Sequence, residues 1–146
     1  MNNRSKSLIY DVIQVSFLIY FLLTGPVIPS SAILAFLQIV AFLILGIAAW
    51  DMRKTKYYRV PDVGKQNGLV KTGIFSYIRN PMYLSQLVFC GVLLINSFSL
   101  YRGIIYIIYI VNFLSKINYE EKLLSTHFSE FEHYKKTTWR LIPYLY

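Results

Sequence analysis

The sequence predicts an all-α integral membrane protein with four transmembrane helices in two hairpins. Hydrophobic residues make up 55% of the chain, and its mean hydropathy is +0.45, well above the values of ordinary soluble domains. The apolar residues fall into four blocks, at 8–23, 32–50, 82–95 and 100–114. Fourteen of the fifteen lysines and arginines lie in segments that four such helices would place on one side of a membrane.

Each block reaches the roughly 20 residues of a spanning helix only when its flanks are included, except the second, which is long enough by itself. The expected helices cover about 8–28, 31–52, 81–97 and 99–128, followed by a polar tail at 129–146, all within one domain of residues 1–146. Asp11 and Gln14 interrupt the first block, so a membrane helix is favoured there over a cleaved signal peptide.

The distribution of charge gives the expected orientation. Of the cationic side chains, Arg102 alone falls on the far side, so both termini and the polar 51–79 segment are expected in the cytoplasm. In a bacterium this would be the plasma or inner membrane. The net charge of +8 is expected to meet anionic membrane lipids rather than nucleic acid, because the chain already carries four membrane segments.

Neither cysteine chemistry nor a metal is expected. Cys90 is the single cysteine and lies inside the third block, which is typical of a small packing residue. No cluster of cysteine and histidine has the spacing of metal ligands.

The end of the fourth helix carries a polar face. In "KINYEEKLL", Lys116 and Glu120 are four residues apart and share one side of the helix. Asn112 and Tyr109 extend this side into the membrane, whereas Glu121 points about 100° away. Polar groups in membrane segments usually face a bundle interior or a cavity. The simpler interpretation is an ion pair at the point where the helix leaves the membrane.

The start of the third helix, "IRNPMY", is also unusually polar. Pro81 suits the first turn of a helix, where a missing N–H has no cost. Asn80 before it is then the expected N-cap. Arg79 and Tyr83 are expected as interfacial anchors in the simplest interpretation of this stretch.

Together these motifs resemble a known family. "GLVKTGIFSYIRNPMYLSQLV", then "KINYEEKLL", then "FEHYKKTTWRLIPYLY" are similar in order and spacing to the isoprenylcysteine carboxyl methyltransferase / phospholipid methyltransferase family of membrane enzymes. The resemblance covers residues 67–146. It implies methyl transfer from S-adenosylmethionine to a lipophilic or membrane-accessible acceptor, with the cofactor pocket formed by the cytoplasmic loop and the C-terminal helical tail.

The resemblance also implies the site residues. The cofactor contacts correspond to Asn67, Gly68, Leu69, Val70, Phe75, Asn80, Pro81, Met82, Tyr83 and Glu120. Lys116 takes the place of the arginine that meets the substrate, and Asn112 lies on the same side one turn earlier. Glu120 and Lys116 are the expected catalytic pair. Chemically, the Glu120 carboxylate suits the ammonium of the cofactor, and in-line methyl transfer needs neither a metal nor a covalent enzyme intermediate.

The chain departs from the family pattern at four positions. Asn67 and Asn80 stand where the family has histidine, Phe75 where it has tyrosine, and Lys116 where it has arginine. Lysine lacks the planar fork with which arginine binds a carboxylate in two places. The class of acceptor, and whether oxygen, nitrogen or sulfur is methylated, therefore stays open.

Two other functions fit parts of the pattern. Sterol reductases, which use NADPH, share the segment around "RNPMY" and an ending like "IPYLY", but they have more membrane helices and the Glu120–Glu121 pair argues against them. A membrane protein that has kept the fold without catalysis would bind no cofactor.

Overall fold

The computed structural model describes residues 3–53 and 69–144. Within these ranges the chain forms five α-helices: α1 (Asn3–Leu23), α2 (Ala32–Arg53), α3 (Pro81–Asn96), α4 (Leu100–His127) and α5 (Phe131–Thr137). A 3-10 turn at Gly73–Ser76 precedes α3. No strand occurs in the described residues, where Ile78 and Trp139 form an isolated parallel bridge. The all-helical prediction is confirmed.

Three helices are long and apolar enough to cross a membrane: α1 from Ser5, α2 and α4. Helix α3 has 16 residues, which correspond to about 24 Å, whereas the hydrocarbon core is about 30 Å thick. Three of the four predicted spans are therefore supported by length and composition. The other helix matches its predicted range of 81–97 to within one residue but is shorter than a full span. Helix α1 ends at Leu23 rather than near residue 28, because Gly25 and Pro26 follow immediately and proline cannot continue a helix.

Helix α3 lies at the centre of the bundle. It packs along most of α2 and also contacts α1 and α4, while α1 packs mainly on α4. Helices α1 and α2 barely touch, so the first expected hairpin does not form as a packed pair. The buried face of α2 includes Ala41 and Ala48, and such small side chains allow the backbone of a neighbouring helix to approach closely.

Aromatic side chains fill the core between α1, α3 and α4. Phe21, Tyr109 and Phe113 are completely buried together with Cys90 and Leu93. The Tyr109 and Phe113 rings meet edge to face with centroids 4.6 Å apart, a favourable arrangement of aromatic quadrupoles. Cys90 is a buried packing residue, as expected.

Side chains from α3 and α4 fix the bundle end at which α3 terminates. Asn96 donates to two carbonyls of the 24–31 loop, each at 3.1 Å, and accepts from the Ser30 amide at 2.9 Å. Arg102 is 5% exposed and donates to the carbonyls of Thr24 and Leu93, each at 2.9 Å. Arg102 thus satisfies carbonyl oxygens that the ends of α1 and α3 leave without a partner inside the helix.

The opposite end, where α2 finishes and α3 begins, depends on a close contact at Gly73. Its φ of +63° favours glycine, and an added Cβ would lie 1.9 Å from Asp51 Oδ2. That carboxylate is buried and accepts the Ile74 amide at 2.9 Å. We expect Gly73→Ala to destabilise the protein by about 2 kcal/mol, since it combines backbone strain with the loss of this contact. Thermal unfolding in detergent measures the effect.

Gly46→Ala is the matched control, because a Cβ at Gly46 meets nothing within 4 Å and alanine is the better helix former. A melting temperature lowered equally by both substitutions would contradict the role of the Gly73–Asp51 contact.

Candidate functional site

A cavity of about 210 Å³ opens at the bundle end where α3 begins. Its walls come from α1, α3, α4, α5, the end of α2 and the segment that leads into α3. Nine of the predicted site residues line it: Leu69, Val70, Phe75, Asn80, Pro81, Met82, Tyr83, Lys116 and Glu120. Asn67 and Gly68 lie outside the described residues. The predicted positions that the structure describes therefore converge, with the exception of Asn112.

The first turn of α3 forms one wall. Pro81 occupies its start and is buried. Asn80 is in the N-cap position, and its carbonyl accepts from the Tyr83 and Leu84 amides, but its side chain makes no capping bond. Instead, Asn80 Nδ2 donates to the Arg140 carbonyl at 3.1 Å. The predicted N-cap position of Asn80 is thus confirmed, but its side chain bonds to the C-terminal segment instead of capping α3.

Glu120 lies on α4, facing this wall across the cavity. The Tyr83 hydroxyl donates to Glu120 Oε2 at 2.7 Å, and the Glu120 side chain is 20% exposed. Lys116 Nζ lies 4.0 Å from Glu120 Oε1, as expected for residues four apart on a helix. Glu120 thus presents a partly accessible carboxylate whose orientation is held by Tyr83.

Lys116 makes its shortest contacts with helix α1. Its side chain is only 3% exposed, and its ammonium donates to Asp11 Oδ1 at 2.5 Å and to Gln14 Oε1 at 2.7 Å. Gln14 in turn donates to Gln86 Oε1 on α3. Sequence reasoning did not place Asp11 and Gln14 in the site. Two features of the sequence could have indicated that they face the site: both are polar within an apolar helix, and their spacing of three residues puts them on one side of it.

Glu121 joins α4 to the start of α3 and to the C-terminal segment. It is 5% exposed, and its Oε1 accepts from Arg79 Nε at 2.9 Å. Its Oε2 accepts from Arg140 Nη2 at 2.6 Å and from Arg140 Nε at 3.0 Å. Arg79, expected as an interfacial anchor, is a buried partner in this cluster. We call these three side chains, Arg79, Glu121 and Arg140, the arginine clamp.

The C-terminal segment closes the remaining side of the cavity. Phe131 and Tyr134 of α5 line it, and the Tyr134 hydroxyl donates to the Phe75 carbonyl at 2.6 Å. Beyond α5 the chain runs parallel to residues 77–79, where the Trp139 amide donates to the Tyr77 carbonyl at 2.9 Å and the Arg79 amide to the Trp139 carbonyl at 2.8 Å. Only α5 of the expected helical tail is helical within the described residues, and after it Trp139 pairs with the segment before α3.

Asn112 does not line the cavity. Its side-chain nitrogen is buried and has no hydrogen-bond partner among residues 3–53 and 69–144. Its position therefore lends no support to a substrate contact. No group of three or more potential metal ligands occurs in the same described ranges.

A comparison with protein-family models adds the decisive observation. The phospholipid methyltransferase model matches residues 30–130, more than half of the chain. The chain belongs to the phospholipid methyltransferase family. Neither the curated proteins nor the solved structures contain a match to it.

The match to the phospholipid methyltransferase family includes α2, α3 and α4. It therefore includes the first turn of α3 and the cavity residues Lys116, Glu120 and Glu121. The resemblance seen in the sequence motifs is thereby confirmed, and the protein is an integral membrane member of this family. Helix α1, with Asp11 and Gln14, lies before the matched range.

Proposed function

We propose that this protein is an S-adenosylmethionine-dependent methyltransferase that acts on a lipophilic or membrane-accessible acceptor. The proposal rests on residues that are distant in the sequence and meet at one cavity. The segment from Leu69 to Tyr83 and the carboxylate of Glu120 are far apart in the chain, yet they line one cavity. Family membership supports methyl transfer, and the chemistry of this lining supports the cofactor.

The residues of the cavity fit the groups of S-adenosylmethionine. Glu120 supplies a carboxylate for the ammonium of the cofactor, a charge-assisted pair that is stronger in a shielded site. Leu69, Val70 and Met82 supply apolar surface for the adenosine. Tyr83 holds Glu120 in place through its hydroxyl, so the carboxylate is oriented before the cofactor arrives.

When bound, the cofactor supplies a methyl group activated by its sulfonium. The protein contributes binding, alignment and the exclusion of water, which together account for much of the acceleration of a displacement between two held reactants. Glu120 and Lys116 act by position rather than by covalent chemistry. We assign no general base, since a carboxylate acceptor needs none, whereas an amine or a thiol must first lose a proton.

Access from the bilayer supports a lipophilic acceptor. Val15 lines the cavity and is 53% exposed, so the cavity reaches the surface of the bundle beside this side chain. Since Val15 lies within the apolar, span-length stretch of α1, we place this opening beside the lipid. Membrane lipids are thus the natural neighbours of the acceptor entrance. In the orientation expected from the charges, with both termini in the cytoplasm, the cofactor enters from the aqueous side.

Parallel titrations of the detergent-purified protein with S-adenosylmethionine and NADPH test the proposal. We expect micromolar binding of S-adenosylmethionine and none of NADPH. Binding of NADPH alone would instead indicate a sterol-reductase-like enzyme, and binding of neither would indicate a non-catalytic membrane protein with this fold. The acceptor is then sought with radiolabelled methyl donor and lipid extracts.

A further inference from the structure

One face of helix α1 forms a wall of the cavity outside the range matched by the family model. Asp11, Gln14, Val15 and Leu18 line the cavity, and their spacings of three and four residues place them on the same side of a helix. This wall is polar at Asp11 and Gln14 and apolar at Val15 and Leu18. We call it the α1 wall; it ends at the exposed rim beside Val15.

The polar part of the α1 wall neutralises the buried cation of the site. The Lys116 ammonium lies 2.5 Å from Asp11 Oδ1 and 2.7 Å from Gln14 Oε1. A lysine ammonium has three N–H donors, and these contacts engage two of them. Gln86 accepts from the Gln14 amide, so the orientation of Gln14 is held from α3.

This arrangement sets the charge that an acceptor meets. Asp11 pairs with Lys116 at the wall of the cavity, so this pair has no net positive charge to offer an anionic acceptor, and Glu120 is the partner of the cofactor's ammonium. A carboxylate acceptor would have to displace Asp11 from Lys116 or be buried as an unpaired anion, and burial of an unpaired charge is strongly unfavourable. A cationic or neutral hydrogen-bond donor meets no such barrier.

We propose that the α1 wall is the acceptor subsite and that Asp11 is its specificity-determining residue. The subsite takes a lipophilic acceptor with a cationic or neutral, hydrogen-bond-donating head group and rejects carboxylates. Asp11 acts in two ways: it occupies the Lys116 ammonium, and it adds a carboxylate to the cavity. The inference rests on the proposed function, since it concerns the second reactant of the same site.

Two probes of equal chain length, octylamine and octanoate, test this subsite directly. Their dissociation constants are measured with the full-length protein in detergent, with and without S-adenosylhomocysteine. We expect wild type to bind octylamine at least tenfold more tightly than octanoate, and Asp11→Asn to reduce that ratio at least tenfold. Asp11→Glu retains the charge and should keep the preference for the amine.

Val15→Trp provides a second variant at an exposed position, where misfolding is not expected. It should weaken octylamine binding at least fivefold. The proposal is overturned if octanoate binds wild type as tightly as octylamine, if neither probe binds, or if both variants keep the wild-type affinities. Should Asp11→Asn not fold, the wild-type ratio and Val15→Trp decide the matter.

Titration of the same preparations with S-adenosylmethionine separates the two proposals. Failure of wild type to bind this cofactor counts against the proposed function, while the ratio of the two probes is still measurable without it. Normal cofactor binding together with a preference for octanoate counts against the α1 wall alone.

Discussion

Glu120→Gln is expected to weaken S-adenosylmethionine binding about 30-fold, equivalent to about 2 kcal/mol. The substitution keeps the size of the side chain and removes the charge that would pair with the cofactor's ammonium. The carboxylate is already held by the Tyr83 hydroxyl at 2.7 Å, so little ordering is needed on binding. Isothermal titration calorimetry on wild type and variant gives the ratio of the dissociation constants.

Glu132→Gln is the matched control for this experiment. Glu132 lies on α5 with 61% of its side chain exposed and pairs with Lys135, outside the cavity lining. It should leave the affinity unchanged. An unaltered dissociation constant in Glu120→Gln, with wild type binding normally, would show that Glu120 does not hold the cofactor.

Glu121→Gln is expected to lower the free energy of unfolding by about 3 kcal/mol. Glu121 is 5% exposed, and its loss leaves Arg79, whose side chain is 10% exposed, without its carboxylate partner. Removing one charge from a buried ion cluster is strongly destabilising, because the remaining charge stays buried without a partner of opposite sign. Unfolding by sodium dodecyl sulfate in mixed micelles measures the change.

Hydrogen exchange distinguishes loss of the arginine clamp from general destabilisation. The amides of Arg79 and Trp139 bond across the two chain segments that the clamp joins, and their exchange should accelerate more than that of the α3 interior. A double-mutant cycle with Arg79→Gln should show coupling of about 1–3 kcal/mol. If the effects of the two substitutions on the free energy of unfolding are additive, Arg79 and Glu121 are not coupled and the arginine clamp does not stabilise the protein.

The helices could largely be predicted from the sequence, but their partners could not. The apolar blocks and the breakers at Gly25, Pro26 and Pro81 place the helices to within a few residues, apart from the ends of α1. Hydropathy identifies segments that avoid water. Because nearly every face of a membrane helix is apolar, hydropathy does not indicate which face packs against which neighbouring helix. The pairing of α2 with α3 depends on small residues such as Ala41 and Ala48, a signal weaker than chain order.

The site could be predicted on α3 and α4, and only in part elsewhere. The family resemblance, which is carried by short-range motifs, implies Asn80–Tyr83 and Glu120, because the spacing of such motifs within the chain is itself the pattern. Asp11 meets Lys116 across 105 residues of sequence, and no local spacing reports such a contact. Glu121 points away from Glu120 on a helical wheel, yet it too lines the cavity. The segment before α3 and the C-terminal segment pack against its side of α4 through Arg79 and Arg140, and the helical wheel does not predict these contacts.

The short central helix has a consequence for the surrounding membrane. Both ends of α3 are fixed by polar contacts, Asn96 to the 24–31 loop and Asn80 to Arg140, so flanking residues cannot lengthen its apolar stretch. Its length of about 24 Å leaves a hydrophobic mismatch of about 6 Å. Protein rather than lipid surrounds most of this short helix, since its side chains are buried or half-buried except Ile95, so the longer helices α1, α2 and α4 carry the remaining thickness of the bilayer.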